Sequence, residues 1–186
     1  MSDIRAASYS FTVECLLLGV LAAKNGQLYS RKCSPGAQER SLVAVRESGF
    51  PRLGFQLHTL ADAKRVAGDD GQALEALAEA FEICATTGEH VWLSELHRIK
   101  GEILLDGKDK ASEAAEHELL QALTIARKQG ALLFELRAAK SLANNWLDQD
   151  RRAAALDLLR PIHDRFTEGL NTPDLLEAKA ILDQLN

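Results

Sequence analysis

The chain has few of the residues that interrupt helices or fill β-sheets. Only 4 of its 186 residues are prolines, and aromatic side chains make up 5%. Prolines break helix interiors, and strands are typically rich in aromatic and β-branched side chains. Alanine, leucine and glutamate, which favour helices, are abundant instead. The composition therefore predicts an all-α protein.

Cysteine is also scarce, and its spacing excludes a disulfide framework. The three cysteines, Cys15, Cys33 and Cys84, are an odd number without a C-x-x-C pair. This usage is typical of a reducing compartment, where small buried thiols have structural roles. We therefore expect a cytoplasmic protein.

Long apolar runs are missing. One apolar stretch, residues 15–23, falls far short of the roughly 20 residues that a membrane span needs. It also lacks the basic leader of a signal peptide, because Asp3 precedes Arg5. We expect the buried face of a helix there, and no membrane partner.

Positive charge is not concentrated anywhere along the chain. The net charge is −5, and basic residues form at most adjacent pairs such as Arg127-Lys128. A nucleic-acid-binding surface needs a basic face that neutralises phosphates. The sequence therefore predicts no nucleic-acid partner.

Motifs for catalysis or cofactor binding are absent from the sequence. There is no G-x-x-x-x-G-K-[ST] phosphate loop and no H-E-x-x-H zinc motif. His90 and His97 could share a helix face, but a metal site needs three or four converging ligands. Cys84 could pair with His90 as a nucleophile, yet it continues an apolar helix stripe, which favours burial. We predict no enzymatic activity, no cofactor and no metal site.

Two series of small residues recur along the chain with nearly the same period. The first has separations of 39, 42 and 39 residues and comprises Gly49, Gly88, Gly130 and Gly169. The second has separations of 42, 40 and 42 residues and comprises Gly19, Ala61, Gly101 and Ala143. Such periodicity indicates one supersecondary unit copied about four times. Units of this kind stack into α-α solenoids.

The clearest unit, residues 55–88, contains two helical stripes of apolar residues separated by Gly68-Asp69. The glycine can adopt a positive φ, and the aspartate can cap the next helix. Ala61 and Ala73 are small where two antiparallel helices would cross closely. The same pattern predicts helices near residues 3–24, 35–48, 51–67, 70–87, 90–106, 110–129, 131–148, 151–168 and 173–185.

The unit resembles the tetratricopeptide motif W-x2-L-G-x2-Y, followed by G-D and a small-large-small triad. Leu57 stands at the Trp position, and Ala61 stands at the Gly of the Leu-Gly pair. Gly68-Asp69 stands at the turn, whereas Lys64 departs from the expected aromatic residue. The resemblance implies an all-α, tetratricopeptide-like solenoid (superhelix) of about four helix pairs plus a C-terminal capping helix.

We expect residues 1–186 to form a single repeat domain. Residues 1–49 are predicted to be a degenerate first repeat, and residues 50–169 three clearer repeats. Residues 170–186 are predicted to be the capping helix, with Pro173 in its first turn.

Three segments resemble the C-terminal region of a family of large bacterial signalling proteins. They are TGEHVWLSELHRIKGEILL (87–105), ALTIARKQGALLFELRAAKSLA (122–143) and FTEGLNTPDLLEAKAILDQL (166–185). In that family a class III adenylate or guanylate cyclase domain, or a winged-helix DNA-binding domain, comes first. A P-loop ATPase module follows, and tetratricopeptide repeats close the chain. The resemblance covers residues 50–186 and implies a regulatory, protein-binding region without the catalytic domains.

A tetratricopeptide solenoid binds its partners on the face lined by the first helix of each pair. The outward positions of these helices are predicted to form a groove for a protein or peptide. They are His58, Asp62, Arg65, Glu95, Arg98, Glu102, Arg137, Lys140 and Asn144. The basic residues among them favour an acidic or C-terminal peptide. Two alternatives stay open, namely a purely solvated face and a small-molecule effector held between the helices.

Overall fold

The computed structural model describes residues 53–107 and 111–185, and that part of the chain contains seven α-helices and no strand. They are α1 (Leu53–Val66), α2 (Asp70–Thr87), α3 (Leu93–Asp106), α4 (Ser112–Gln129), α5 (Leu132–Asp148), α6 (Arg152–His163) and α7 (Pro173–Leu185). The prediction of an all-α fold is confirmed for these residues. The helices predicted near 3–24 and 35–48 lie outside them, as do Gly19 and Gly49.

The chain divides into two compact units, residues 1–92 and 93–186. In the described part of the first unit, α1 and α2 pack as one antiparallel pair. In the second unit, α3 pairs with α4 and α5 pairs with α6. The helix α5 also packs against α3, and α7 packs against both α5 and α6. The first helices of the two pairs, α3 and α5, are therefore neighbours within the second unit, and the last helix, α7, lies beside α5.

Glycines with a left-handed backbone follow two of the helices at the period seen in the sequence. Gly88 follows α2 with φ 72°, and Gly130 follows α4 with φ 65°. Gly68, in the turn between α1 and α2, has φ 79°. Beside it, Asp69 caps α2 by accepting a hydrogen bond from the backbone N–H of Gln72. The period of the glycine series thus follows backbone positions that require a positive φ.

Substitution of two glycines by alanine should have opposite effects on stability. Gly130→Ala should lower the free energy of unfolding by about 1 kcal/mol, because alanine is strained at a positive φ. Gly71→Ala, in the first turn of α2, should raise it by roughly 0.5 kcal/mol by restricting the unfolded chain. An added Cβ meets no atom within 4 Å at either site, so backbone conformation alone decides the sign. Urea unfolding measures both changes, and effects of the same sign would contradict this explanation.

Small residues lie where helices cross closely. Ala61 in α1 and Ala143 in α5 are fully buried. A Cβ added to Gly101 in α3 would lie 2.8 Å from Cγ of Leu119 in α4. Anything larger than glycine at this position would require Leu119 to move. The close approach predicted at these small residues is observed at Gly101, and it stays a prediction for the buried Ala61 and Ala143.

The predicted end of one helix is wrong. The sequence predicts a helix near 151–168 that ends before Gly169, but α6 ends at His163. Pro161 removes a backbone N–H donor from its last turn, and Phe166 folds back against the apolar core of α4 to α7. Because α6 continues for two residues beyond Pro161, its early end is attributed to the packing of Phe166. Gly169 has φ 67° but lies in the connection to α7, which begins at Pro173 as predicted.

Candidate partner-binding face

Polar side chains from α3, α5 and α7 meet on one side of these helices. On each helix their spacing, three or four residues except for the adjacent Lys140 and Ser141, places them along one stripe. We call this set the charged face; it consists of Glu95, Arg98 and Glu102 on α3, Arg137, Lys140 and Ser141 on α5, and Asp174 and Glu177 on α7. The stripe on α5 lies apart from its apolar positions, such as Leu136, Leu142 and Ala143.

A buried ion pair forms the α3 part of the charged face. The side chain of Glu95 is only 1% exposed. Arg98 donates two hydrogen bonds to it, from Nε to Oε1 and from Nη2 to Oε2, each 3.0 Å long. Nη1 of Arg98 also donates to Oε1 of Glu102 over 2.6 Å. This two-pronged geometry provides the hydrogen bonds that a buried carboxylate needs.

Arg137 and Ser141 connect α5 to α3. Nη1 of Arg137 lies 3.3 Å from Oε2 of Glu95, so the buried carboxylate contacts two guanidinium groups. The hydroxyl of Ser141 donates to Oε1 of Glu102 over 2.6 Å. The network therefore crosses between successive first helices.

The same network continues from α5 to α7. Nε of Arg137 donates to Oδ2 of Asp174 over 2.9 Å. Nζ of Lys140 donates to Oδ1 of Asp174 and to Oε2 of Glu177, both over 2.7 Å. Burial alone would raise the pKa of Asp174, but the hydrogen bonds from Arg137 and Lys140 outweigh it and hold that pKa below its usual 3.8. Asp174 is therefore ionised at neutral pH and links α7 to α5.

The structure brings five of the nine predicted groove residues into this network, namely Glu95, Arg98, Glu102, Arg137 and Lys140. Asn144 is exposed one turn after Lys140 on α5. The other three residues lie on α1, in the first unit. There Arg65 pairs with Asp62 over 3.1 Å, and the ring of His58 stacks on that of Trp92 with centroids 4.9 Å apart.

Two expectations about the basic residues need correction. The sequence places Lys140 at an outward position, but only 8% of it is exposed because α5 is covered by the helices that pack around it. Three other residues predicted to face outward are buried as well, namely Asp62, Glu95 and Arg98. Sequence reasoning also missed that Asp174 and Glu177 neutralise part of the face. Their spacing of three residues puts them on one side of a helix. However, sequence spacing does not show that this side lies against α5.

Acid should weaken the link between α5 and α7. A carboxylate whose pKa is depressed in the folded state contributes stability above its unfolded pKa and loses it as the pH falls through the folded pKa. Asp174→Asn should therefore destabilise the protein at pH 7, and the difference from wild type should shrink between about pH 5 and about pH 2. Urea unfolding across this range measures the difference.

The control is Asp183→Asn, which neutralises an exposed carboxylate on the same helix. Its effect should be small throughout, because exposed pairs such as Lys179–Asp183 contribute little. An Asp174→Asn difference that stays constant from neutral to acidic pH would contradict the assignment.

The residues considered above for catalysis or metal binding are either buried in a helix or in contact with neighbouring side chains. Cys84 is buried in α2, as predicted. Its burial, and to a lesser extent the nearby charge of Glu89, raises the pKa of its thiol. Nδ1 of His97 lies 2.7 Å from Oε2 of Glu118, which Lys100 also contacts. Among the residues that the structure describes, no three His, Cys, Asp or Glu side chains are placed to hold a metal ion. Within the same residues, no helix combines the length and hydrophobicity that a membrane span requires.

Neither a family model nor a curated protein sequence matches this chain. Two crystal structures are similar to it, both of nearly identical TPR-like repeats from a Podosopora anserina protein assigned as a kinesin light chain. One is a single-residue variant with a TM-score of 0.64, and the other has a TM-score of 0.63. Each is 19% identical, and each match covers 92% of this chain and 83% of the other.

Likeness at this level of identity concerns the fold, which is therefore the all-α, tetratricopeptide-like repeat fold. Solenoids built from stacked repeats generally present extended binding surfaces. By its fold, the chain is accordingly assigned to the structural class of tetratricopeptide-like helical repeats.

Proposed function

We propose that this chain is a non-catalytic regulatory module that binds a protein or peptide partner on the charged face. The observation that supports this most is the meeting of charged side chains from the first helices of two successive pairs and from α7 in a tetratricopeptide-like fold. Side chains of this kind can bind the polar groups of a peptide. A closed apolar cavity would instead favour a small-molecule effector, but the side chains that meet here are charged.

We further propose that the module is related to the C-terminal part of a bacterial signalling protein of the cyclase or ATPase type, and that it acts in the cytoplasm. The three segments quoted above support this relation. In such a protein, binding of a partner to the repeats would regulate domains that are not contained in this sequence. The α1 residues of the predicted groove, His58, Asp62 and Arg65, remain predicted contributors to partner binding.

The chemistry of the basic residues favours an acidic partner. Arg98, Arg137 and Lys140 can each donate more than one hydrogen bond to a carboxylate. Arg137 is the most accessible of the three, with 33% of its side chain exposed. It is therefore the residue through which an acidic side chain or a C-terminal carboxylate would first contact the face.

The test is affinity capture from a bacterial extract with quantitative mass spectrometry. Arg137→Glu with Lys140→Glu is unsuitable, because it would place two more carboxylates beside Asp174 and Glu177 and weaken the fold. Arg137→Gln removes the charge and keeps similar bulk. The control is Lys128→Gln, which removes one exposed positive charge from α4.

Partners retained by wild type and by Lys128→Gln but lost by Arg137→Gln would support the proposal. Thermal melts of all three proteins establish that the variants are folded. Identical partner lists for the three proteins would contradict a role for the charged face.

The isolated chain should neither cyclise nor hydrolyse nucleotides. Both reactions need a phosphate cradle and carboxylates that hold metal ions around the transferring group. In the charged face, the carboxylates form salt bridges with arginine and lysine side chains and do not converge on a common point for a metal ion. Assays of purified protein with ATP and GTP test this expectation. Turnover that is abolished by a single point mutation would overturn the non-catalytic assignment.

A further inference from the structure

The basic side chains of the charged face already contact carboxylates of the same unit. Three basic residues each contact two carboxylates. The basic residues are Arg98, Arg137 and Lys140, and the carboxylates belong to Glu95, Glu102, Asp174 and Glu177. Because Lys140 is buried, leaving its ammonium group unpaired would be strongly unfavourable. An acidic ligand can therefore reach Lys140 only by replacing a carboxylate that is bound to it.

Both carboxylates bound to Lys140 belong to the start of α7. Asp174 and Glu177 lie one turn apart, and the side chain of Glu177 is 67% exposed. Lys140 itself is buried, so the carboxylate of Glu177 is the end of this pair that solvent and a ligand can reach. The other side of α7 is anchored separately, by Leu175, Ala178, Ile181 and Leu182 in the apolar core. The two carboxylates can therefore leave Lys140 without loss of these apolar contacts.

We infer that Asp174 and Glu177 act as an internal acidic ligand of Arg137 and Lys140, and that an acidic peptide binds this face by exchanging its own carboxylates for theirs. The inference rests on the proposed function, because it specifies the chemistry of the partner at the same face. With α7 engaged, the face contains three cations and four carboxylates. Without the α7 pair it contains three cations and two carboxylates, and it then attracts acidic peptides.

This exchange gives α7 a role in selectivity. A ligand must compete with a tethered pair of carboxylates, which is always present at the site. A peptide with a single acidic group replaces only one of the two α7 carboxylates that it displaces. A peptide with several acidic groups can replace both, so the face selects for partners with clustered negative charge.

The experiment compares two doubly substituted full-length proteins with the same change in net charge. The first is Asp174→Asn with Glu177→Gln, which removes the internal ligand. The control is Glu168→Gln with Asp183→Asn, which neutralises two exposed carboxylates outside the charged face. The probe is a fluorescein-labelled hexaglutamate peptide, and fluorescence anisotropy at low salt gives its dissociation constant.

The first variant should bind the probe about tenfold more tightly than wild type, because the carboxylates of Asp174 and Glu177 no longer compete with it for Lys140 and Arg137. The control should match wild type. Addition of Lys140→Gln to the first variant should abolish the gain. The inference is overturned if the control gains as much as the first variant, if neither gains, or if the gain survives Lys140→Gln.

The first variant is expected to melt below wild type because it contains Asp174→Asn, so the deciding comparison is the single substitution Glu177→Gln, at a residue that is mostly exposed. It should retain part of the gain, and unchanged affinity would overturn the inference. Failure of the proposed function is recognised separately. If capture of partners depends on Arg137 while hexaglutamate binding is unaffected by α7, the inference fails and the proposed function stands. If capture is the same for Arg137→Gln and wild type, the proposed function fails.

Discussion

Glu95→Gln should lower the free energy of unfolding by about 3 kcal/mol, the low end for breaking a buried ion pair, because Arg98 then keeps only Glu102 and Arg137 keeps only Asp174. The carboxylate of Glu95 accepts two hydrogen bonds from Arg98 and also contacts Arg137. A neutral amide cannot accept all of these hydrogen bonds, and its NH₂ group would face a guanidinium donor. Chemical denaturation of the purified variant measures the change.

Glu168→Gln is the matched control for this prediction. It makes the same chemical change at an exposed position, where substitutions usually alter stability by less than about 0.5 kcal/mol. A loss below about 1 kcal/mol for Glu95→Gln would show that the network is not a stabilising link between α3 and α5.

Ala143→Leu should destabilise the protein by roughly 1–3 kcal/mol through overpacking. Ala143 is fully buried in the apolar core that α4, α5, α6 and α7 share. Three extra carbon atoms at this position would push α5 away from its neighbours. Ala61→Leu should have a comparable effect in the first unit, since Ala61 is equally buried.

Ala153→Leu provides the comparison for both substitutions. Ala153 lies in α6 and is exposed, so the larger side chain meets no core atoms. Thermal melts of the three variants should therefore separate the two buried positions from the exposed one. If all three variants melted like wild type, the assignment of the small residues to close helix crossings would have to be abandoned.

The helical pattern was largely predictable from the sequence because its signals are local. Gly88 and Gly130 end helices through their own backbone freedom, and Asp69 caps α2 through a hydrogen bond three residues away. The end of α6 was not predictable in this way. It depends on Phe166 reaching a core that three other helices help to form.

The candidate site was predictable only in part. Glu95, Arg98 and Glu102 follow helical spacing on α3, and Arg137, Lys140 and Asn144 follow it on α5, so their placement on common stripes could be inferred. Their ionic partners could not be inferred, because Arg137 and Asp174 are 37 residues apart in sequence.

The sequence by itself determined the helical class, the repeat period and the positions that must be small or left-handed. The helical class and the left-handed positions follow from backbone freedom and side-chain size within about one helical turn, and the period is the recurrence of these local signals along the chain. Only the tertiary structure decided that the acidic start of α7 lies against Lys140 and Arg137. Pairing between distant charges depends on how helices pack, and packing is set by the whole apolar core rather than by any local segment.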